Sequence, residues 1–295
     1  QTATANVDGS TNVTIGEQGT TGEALDIQFG TVAGGGLARA QKGEGFATAT
    51  VTNANVTVHS GILSGVAGGG IAENYGTGTA KADVTSAANL TINGGTINGV
   101  KYKDVDTDKV KVAVLGGGIA KGSKATADAT TTNTVINGGT IKGHVVAGGL
   151  ADGAGATSQV DTANLTIRGG NLQGNIHAGG YAINGGNAEV STATVTFDGT
   201  TDFAGKVIGQ GHQDEQSFAT VKDSTLAFSN YDGAFNGTVM AFDHISAAAD
   251  SQVSMDVLDV TTAGHNNKLD INGAGTITAA SVIVTNGTSL TVSVG

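Results

Sequence analysis

The sequence predicts an all-β chain wound as a parallel, right-handed β-helix, with windings of about 32 residues and glycine-rich corners. Three observations predict it. A strand-like string recurs along the chain, a glycine cluster follows each copy at a steady distance, and apolar and hydroxyl residues alternate within the string. The string Asn89-Leu90-Thr91-Ile92-Asn93-Gly94-Gly95 returns as Asn133-Thr134-Val135-Ile136-Asn137-Gly138-Gly139. It returns again as Asn164-Leu165-Thr166-Ile167-Arg168-Gly169-Gly170. Weaker copies are Asn12-Val13-Thr14-Ile15, Asn55-Val56-Thr57-Val58, Thr194-Val195-Thr196-Phe197 and Thr225-Leu226-Ala227-Phe228.

The glycine clusters come next. They are Gly34 to Gly36, Gly68 to Gly70, Gly116 to Gly118, Gly148-Gly149 and Gly179-Gly180, decaying to Gly209-Gln210-Gly211 and Ala241-Phe242-Asp243. Counted between equivalent residues, the steps are 34, 48, 32, 31, 31 and 32 residues. The long step has a local cause. Aligning Thr96-Ile97-Asn98-Gly99-Val100 with Thr140-Ile141-Lys142-Gly143-His144 leaves residues 101–112 as an insertion, expected as a surface loop outside the stack.

Alternation then gives the orientation. Val56, Leu90, Thr134, Leu165, Val195 and Leu226 share one position, and Val58, Ile92, Ile136, Ile167, Phe197 and Phe228 lie two residues on, on the same face. Thr57, Thr91, Thr166 and Thr196 point the other way. Period two with aliphatics on one side and threonine on the other is a half-buried strand. The winding from Ser158 is expected to divide into Ser158 to Thr162, Asn164 to Ile167 and Asn175 to Ala178, with glycines at the corners. The absence of proline agrees, since proline deletes a ladder hydrogen bond. The asparagines at 12, 55, 89, 133 and 164 share a phase and are expected to form an amide ladder. Lys268 to Gly273, Ser281 to Val284 and Ser289 to Val294 read as further strands, and no amphipathic helix is expected to cap either end.

Composition narrows the function. Residues 1–295 are expected to form one elongated domain, because arrays escape the usual length prior. Glycine numbers 49 with no collagen spacing, and a flexible linker does not place β-branched residues in phase. The formal charge of −11 disfavours nucleic acid and anionic membrane. Cysteine is absent, which rules out disulfide and thiolate chemistry and fits export. No run of about 18 apolar residues is present to span a membrane as a helix.

The strand string, the Asn-Gly-Gly corner and the repeated Val-Ala-Gly-Gly-Gly-Ile-Ala resemble the passenger region of bacterial autotransporter proteins, clearly over Asn12 to Asp243. The resemblance implies a β-helical, surface-displayed, cysteine-poor protein. Neither the membrane barrel nor the leading protease domain of such proteins is seen in these residues; an excised passenger whose natural chain continues past Gly295, a secreted subunit, and a chain end covered by a partner all fit.

Candidate sites are few. Asp104, Asp106 and Asp108 alternate within the insertion and can converge on calcium, the one cofactor the sequence suggests. The glycine and glutamate of an EF-hand loop are missing, and Lys101, Lys103, Lys109 and Lys111 favour a solvated, self-neutralised loop. His212 and His244 each lie three residues after an equivalent corner position, with Asp214 and Asp243 near in sequence. In-phase stacking would make them a metal or catalytic pair, while the other histidines share no phase. Acids that a polysaccharide-cleaving site would cluster look scattered, and nucleophile-elbow and phosphate-loop motifs are absent. The threonine rows are read first as β-propensity and solubility, and second as a glycan- or ice-binding face. The sequence thus points to a non-enzymatic extracellular bacterial surface protein, adhesive or structural, whose partners are glycans, cell-surface receptors or other copies of itself. A head-to-tail filament subunit and a polysaccharide-active enzyme are the alternatives.

Overall fold

A computed structural model describes residues 2–17, 28–41, 43–102, 110–261, 268–284 and 289–292. The described chain is all β, in a parallel β-solenoid-like arrangement of three sheets with no helix. Every strand pairing among the described residues is parallel except one.

The first sheet runs through the long strands Thr2–Ile15, Phe46–Val58, Thr79–Ile92, Ala129–Ile136, Thr157–Ile167, Asn187–Asp198 and Phe218–Ser229. Its register is that of the repeated string. Asn55 faces Asn89, Asn89 faces Asn133, and Asn133 faces Asn164, residue upon residue. The aliphatic positions stack accordingly. Val56, Leu90, Leu165, Val195 and Leu226 are each no more than 1% exposed. They pack onto inward residues of the second sheet such as Val114, Val145, Ile176 and Val207. The first half of each long strand packs differently. Ala47, Ala80 and Ala188 meet Ala72, Ala151 and Ala182 of the third sheet, so two backbones close on each other through methyl groups alone.

Two kinds of glycine shape the corners, for different reasons. Gly139 after Ile136 has φ +93°, a conformation that penalises a Cβ. Gly117, in a glycine triplet, has an ordinary φ, but a Cβ there would stand 2.9 Å from the Gly149 nitrogen of the next winding. The first serves the turn and the second serves close stacking.

Sequence expectation and structure part in four places. Residues 158–167 form one strand with an irregularity at Asp161, which is exposed between buried Val160 and Ala163. A slip of one residue restores the inward phase, so no corner is needed. The expected strand Asn175 to Ala178 contracts to Ile176–His177, and a third strand, Tyr181–Ile183, follows the glycines. The described ends of the insertion are also ordered. Val100–Tyr102 and Val110–Leu115 pair antiparallel, Tyr102 with Val110 and Lys101 with Lys111, as a hairpin stem. Tyr102 is 5% exposed, with the Lys121 ammonium 5.5 Å from its ring centroid.

The fourth difference is a taper. The third sheet ends at His212–Gln213. Beyond it, Ser224 and its partner Asp243 are 19 residues apart, whereas Asn133 and Asn164 are 31 apart. Among the described residues, the start of the strand Phe218–Ser229 therefore has no following strand beside it, and its inter-winding N–H groups at Ala219 and Val221 are closed by side chains. Gln213 Oε1 accepts from the Ala219 N–H (2.9 Å) and Gln210 Oε1 from the Val221 N–H (3.3 Å). Phe197, Phe203, Phe228, Tyr231 and Phe235 fill the narrowing interior, with ring centroids 5.0–6.4 Å apart.

Candidate functional site: the laddered face and the outer seam

The outward side of the first sheet is the most regular surface. Asn55 Nδ2 donates to Asn12 Oδ1 (3.1 Å), Asn89 to Asn55 (2.9 Å), Asn133 to Asn89 (2.9 Å) and Asn164 to Asn133 (3.0 Å). All five asparagines expected in the ladder are in it. Two residues on, Thr14, Thr57, Thr91, Val135, Thr166 and Thr196 stack as a second column. A further ladder lies at the edge of the face, where Asn137 Nδ2 donates to Asn93 Oδ1 (2.8 Å) and Asn93 Nδ2 lies 3.2 Å from His59 Nδ1. Farther along, Arg168 bonds Asp198 (2.8 Å), which also accepts from Asn230 (2.8 Å), and these bonds hold the Asp198 carboxyl below its usual pKa.

The second candidate lies on the concave outer corner between the second and third sheets. Val145 and Ile176 point into the core, so His144, Val146 and His177 point out; Ala151 and Ala182 point in, so Leu150, Tyr181 and Ile183 point out. The two outer faces fold onto each other and bury a seam of Leu115, Ile119, Val146, Leu150, Tyr181 and Ile183. Three imidazoles line it. The rings of His144 and His177 are 5.4 Å apart and those of His177 and His212 are 6.1 Å apart. His212 stacks on Tyr181 at 4.3 Å. Burial, and then each neighbouring imidazole, push His177 well below the ordinary histidine value, and its Nδ1 has no hydrogen-bond partner among the described residues. Burial also lowers His144, whose Nδ1 accepts from the Asn175 N–H (2.9 Å).

The expected pairing of His212 with His244 does not occur. His212 pairs with Tyr181 in the third sheet, whereas His244 pairs with Thr225 in the first and lies 3.2 Å from Asp223. Asp214 instead organises a turn, accepting from the N–H groups of Asn184 (2.7 Å) and Gln216 (3.2 Å) and from the Ser217 hydroxyl. Asp243 holds Ser224. Two histidines expected to share no phase, His144 and His177, meet each other, and His177 in turn meets His212. The available signal was their position on either side of a glycine corner: His177 precedes Gly179-Gly180, while Tyr181 and His212 follow such corners.

Asp104, Asp106 and Asp108 lie outside the described residues. Among the described residues, no group of three acidic or histidine side chains is placed to hold a metal ion. The carboxylates are less scattered than their sequence positions imply. Asp83, Asp128 and Asp161 line a shallow groove of about 300 Å3 with Thr85, Thr130 and Gln159. Asp128 is pushed up to about 6, chiefly by burial, against the opposing hydrogen bond from the Gln159 N–H (2.8 Å). Lys81 pairs with Asp83 at 2.8 Å. Arg39 and Arg168 are each committed to an acid, Glu73 and Asp198. Compared with known protein families, curated proteins and solved structures, the chain matches none.

Proposed function

We propose that this chain is a non-enzymatic extracellular β-helix of a bacterial surface protein, similar to an autotransporter passenger, and that it serves as an adhesive or structural stalk. In this reading the windings are right-handed and hold about 32 residues through the body. The observation that carries the reading is the laddered face. From Asn12 to Thr166 its asparagine and threonine columns contain no charged residue. The amides bond along the stack and hold the face in one geometry before any partner arrives. Threonine hydroxyls between them suit a neutral, hydroxyl-rich glycan or a second copy of the same face.

The test uses the purified chain against immobilised neutral polysaccharides and intact bacterial cells. Thr57→Lys together with Thr166→Lys is expected to weaken retention at least tenfold while leaving thermal stability unchanged. Undiminished retention removes the face from the binding role. Imaging at rising concentration separates a stalk, which stays as single rods, from the filament alternative.

A second reading, a polysaccharide-active enzyme, is favoured by the Asp128 groove. A carboxyl pushed up to about 6 beside Asp83 has the character of a general acid. Release of reducing ends from a glycan panel, abolished by Asp128→Asn, would replace the first reading with this one.

A further inference from the structure

We propose that the stack of His144, His177, Tyr181 and His212 is an acid-sensitive latch, which holds the outer seam between the second and third sheets shut at neutral pH and releases it on acidification. The proposal stands on how the seam is built. The interior between the sheets is aliphatic and aromatic and has no reason to respond to pH. The seam is a separate apolar cluster on the outside of the same two sheets, and imidazoles take the place of aliphatic residues along it. His177 lies between His144 and His212 in the stack, 4% exposed, and its Nδ1 lacks a hydrogen-bond partner among the described residues in the closed state.

Among the described residues, the surroundings of His177 offer a proton no compensation. The strand His144–Val146 supplies His144, the strand Tyr181–Ile183 supplies the phenol of Tyr181, and the strand His212–Gln213 supplies His212. The strand Leu150–Asp152 contributes Leu150 to the seam, while its Asp152 is engaged by Asn184 Nδ2 at 2.7 Å. The strand Lys206–Ile208 sets Ile208 beside His177 in register, with Lys206 exposed to solvent. The charged groups that act on His177 are the two other imidazoles, and both oppose its protonation. A first proton thus meets an apolar wall, and a second meets the first.

The direction follows from linkage. The folded value of His177 lies below the ordinary imidazole value of about 6.5, so below that pH the open seam binds protons that the closed one refuses. Seam stability is complete above about pH 6.5 and is lost as pH falls. At pH 5.0 one such group can favour opening by at most about thirtyfold, the limit set by the open-state value.

The experiment is hydrogen exchange read peptide by peptide on the full chain at pH 7.5 and 5.0, corrected for intrinsic exchange. Residues 144–150 and 176–183 are expected to lose at least tenfold in protection, with residues 89–97 unchanged as the internal reference. In His177→Leu the loss disappears. His212→Phe keeps an aromatic ring against Tyr181 and removes one of the two imidazoles that act on His177, so it reduces the loss and decides the matter if His177→Leu does not fold. Equal protection of the seam at both pH values, or variants that open like the parent, overturns the proposal.

Discussion

Thr134 occupies an aliphatic position, stacked between Leu90 and Leu165, and is 1% exposed. Its hydroxyl has no hydrogen-bond partner among the described residues. Thr132, two residues earlier and 0% exposed, donates its hydroxyl to the Ala147 carbonyl at 2.9 Å. The two sites share residue type, strand and burial and differ in that one bond. An unmet buried hydroxyl costs about 1–3 kcal/mol, whereas a satisfied one contributes about 1 kcal/mol. Thr134→Val replaces the orphan oxygen with a methyl of similar size, so it is expected to stabilise by about 1–2 kcal/mol. Thr132→Val removes the donor from the Ala147 carbonyl and is expected to destabilise by about 1 kcal/mol. The Tm changes are expected to be about +2 to +6 °C and about −2 to −4 °C. An array need not melt in one step, so amide protection over residues 129–136 accompanies the melting curve. A Tm for Thr134→Val at or below that of the parent, or equal shifts for both variants, would refute the account of the buried face.

Three further outcomes follow from the same geometry. Asn89→Ala removes two ladder bonds, to Asn55 and from Asn133, and is expected to cost about 1–2 kcal/mol, seen as faster exchange in the strands on both sides. Gly139→Ala forces a Cβ onto a φ of +93° and is expected to lower stability by at least about 1 kcal/mol, measured by Tm, whereas Gly9→Ala, with open space around it, leaves Tm unchanged. Asp128 is raised from 3.8 to about 6 on folding, so the folded chain holds the extra proton and stability falls as pH rises from about 4 to about 6. Asp128→Asn keeps the acceptor for the Gln159 N–H and is expected to raise Tm at pH 7.5 but not at pH 3.5.

The parts that were legible in the sequence are those in which like residues stack directly. The asparagine ladder and the aliphatic columns repeat the same letter in the same phase, and a parallel in-register stack preserves that phase in space. The histidine seam was not legible because its contacts run diagonally across a bend. In register His177 faces Val146 and Ile208, and neither neighbour is an imidazole. The Asp83, Asp128 and Asp161 groove was hidden for a related reason, since each acid sits at or beside an irregularity where strand phase slips. The taper escaped notice because it begins just past the last corner that the repeat marks. Ile208 still pairs with Met240, 32 residues on by subtraction, but Met240 then pairs with Asp259 and, in the first sheet, Leu226 with Ile245, each only 19 on. The third sheet is built from runs of two to four residues, such as Leu150–Asp152 with alanine inward, too brief and too small to announce a strand.

The 31-residue separation between Asn133 and Asn164 has a mechanical side. One turn of thread occupies about 4.8 Å of stack height, yet about 100 Å when drawn straight. Tension that strips a single turn therefore lets the molecule lengthen some twentyfold over the height given up, and turns farther along keep their own neighbours. Under load the chain is expected to give way as a spool does, one turn at a time.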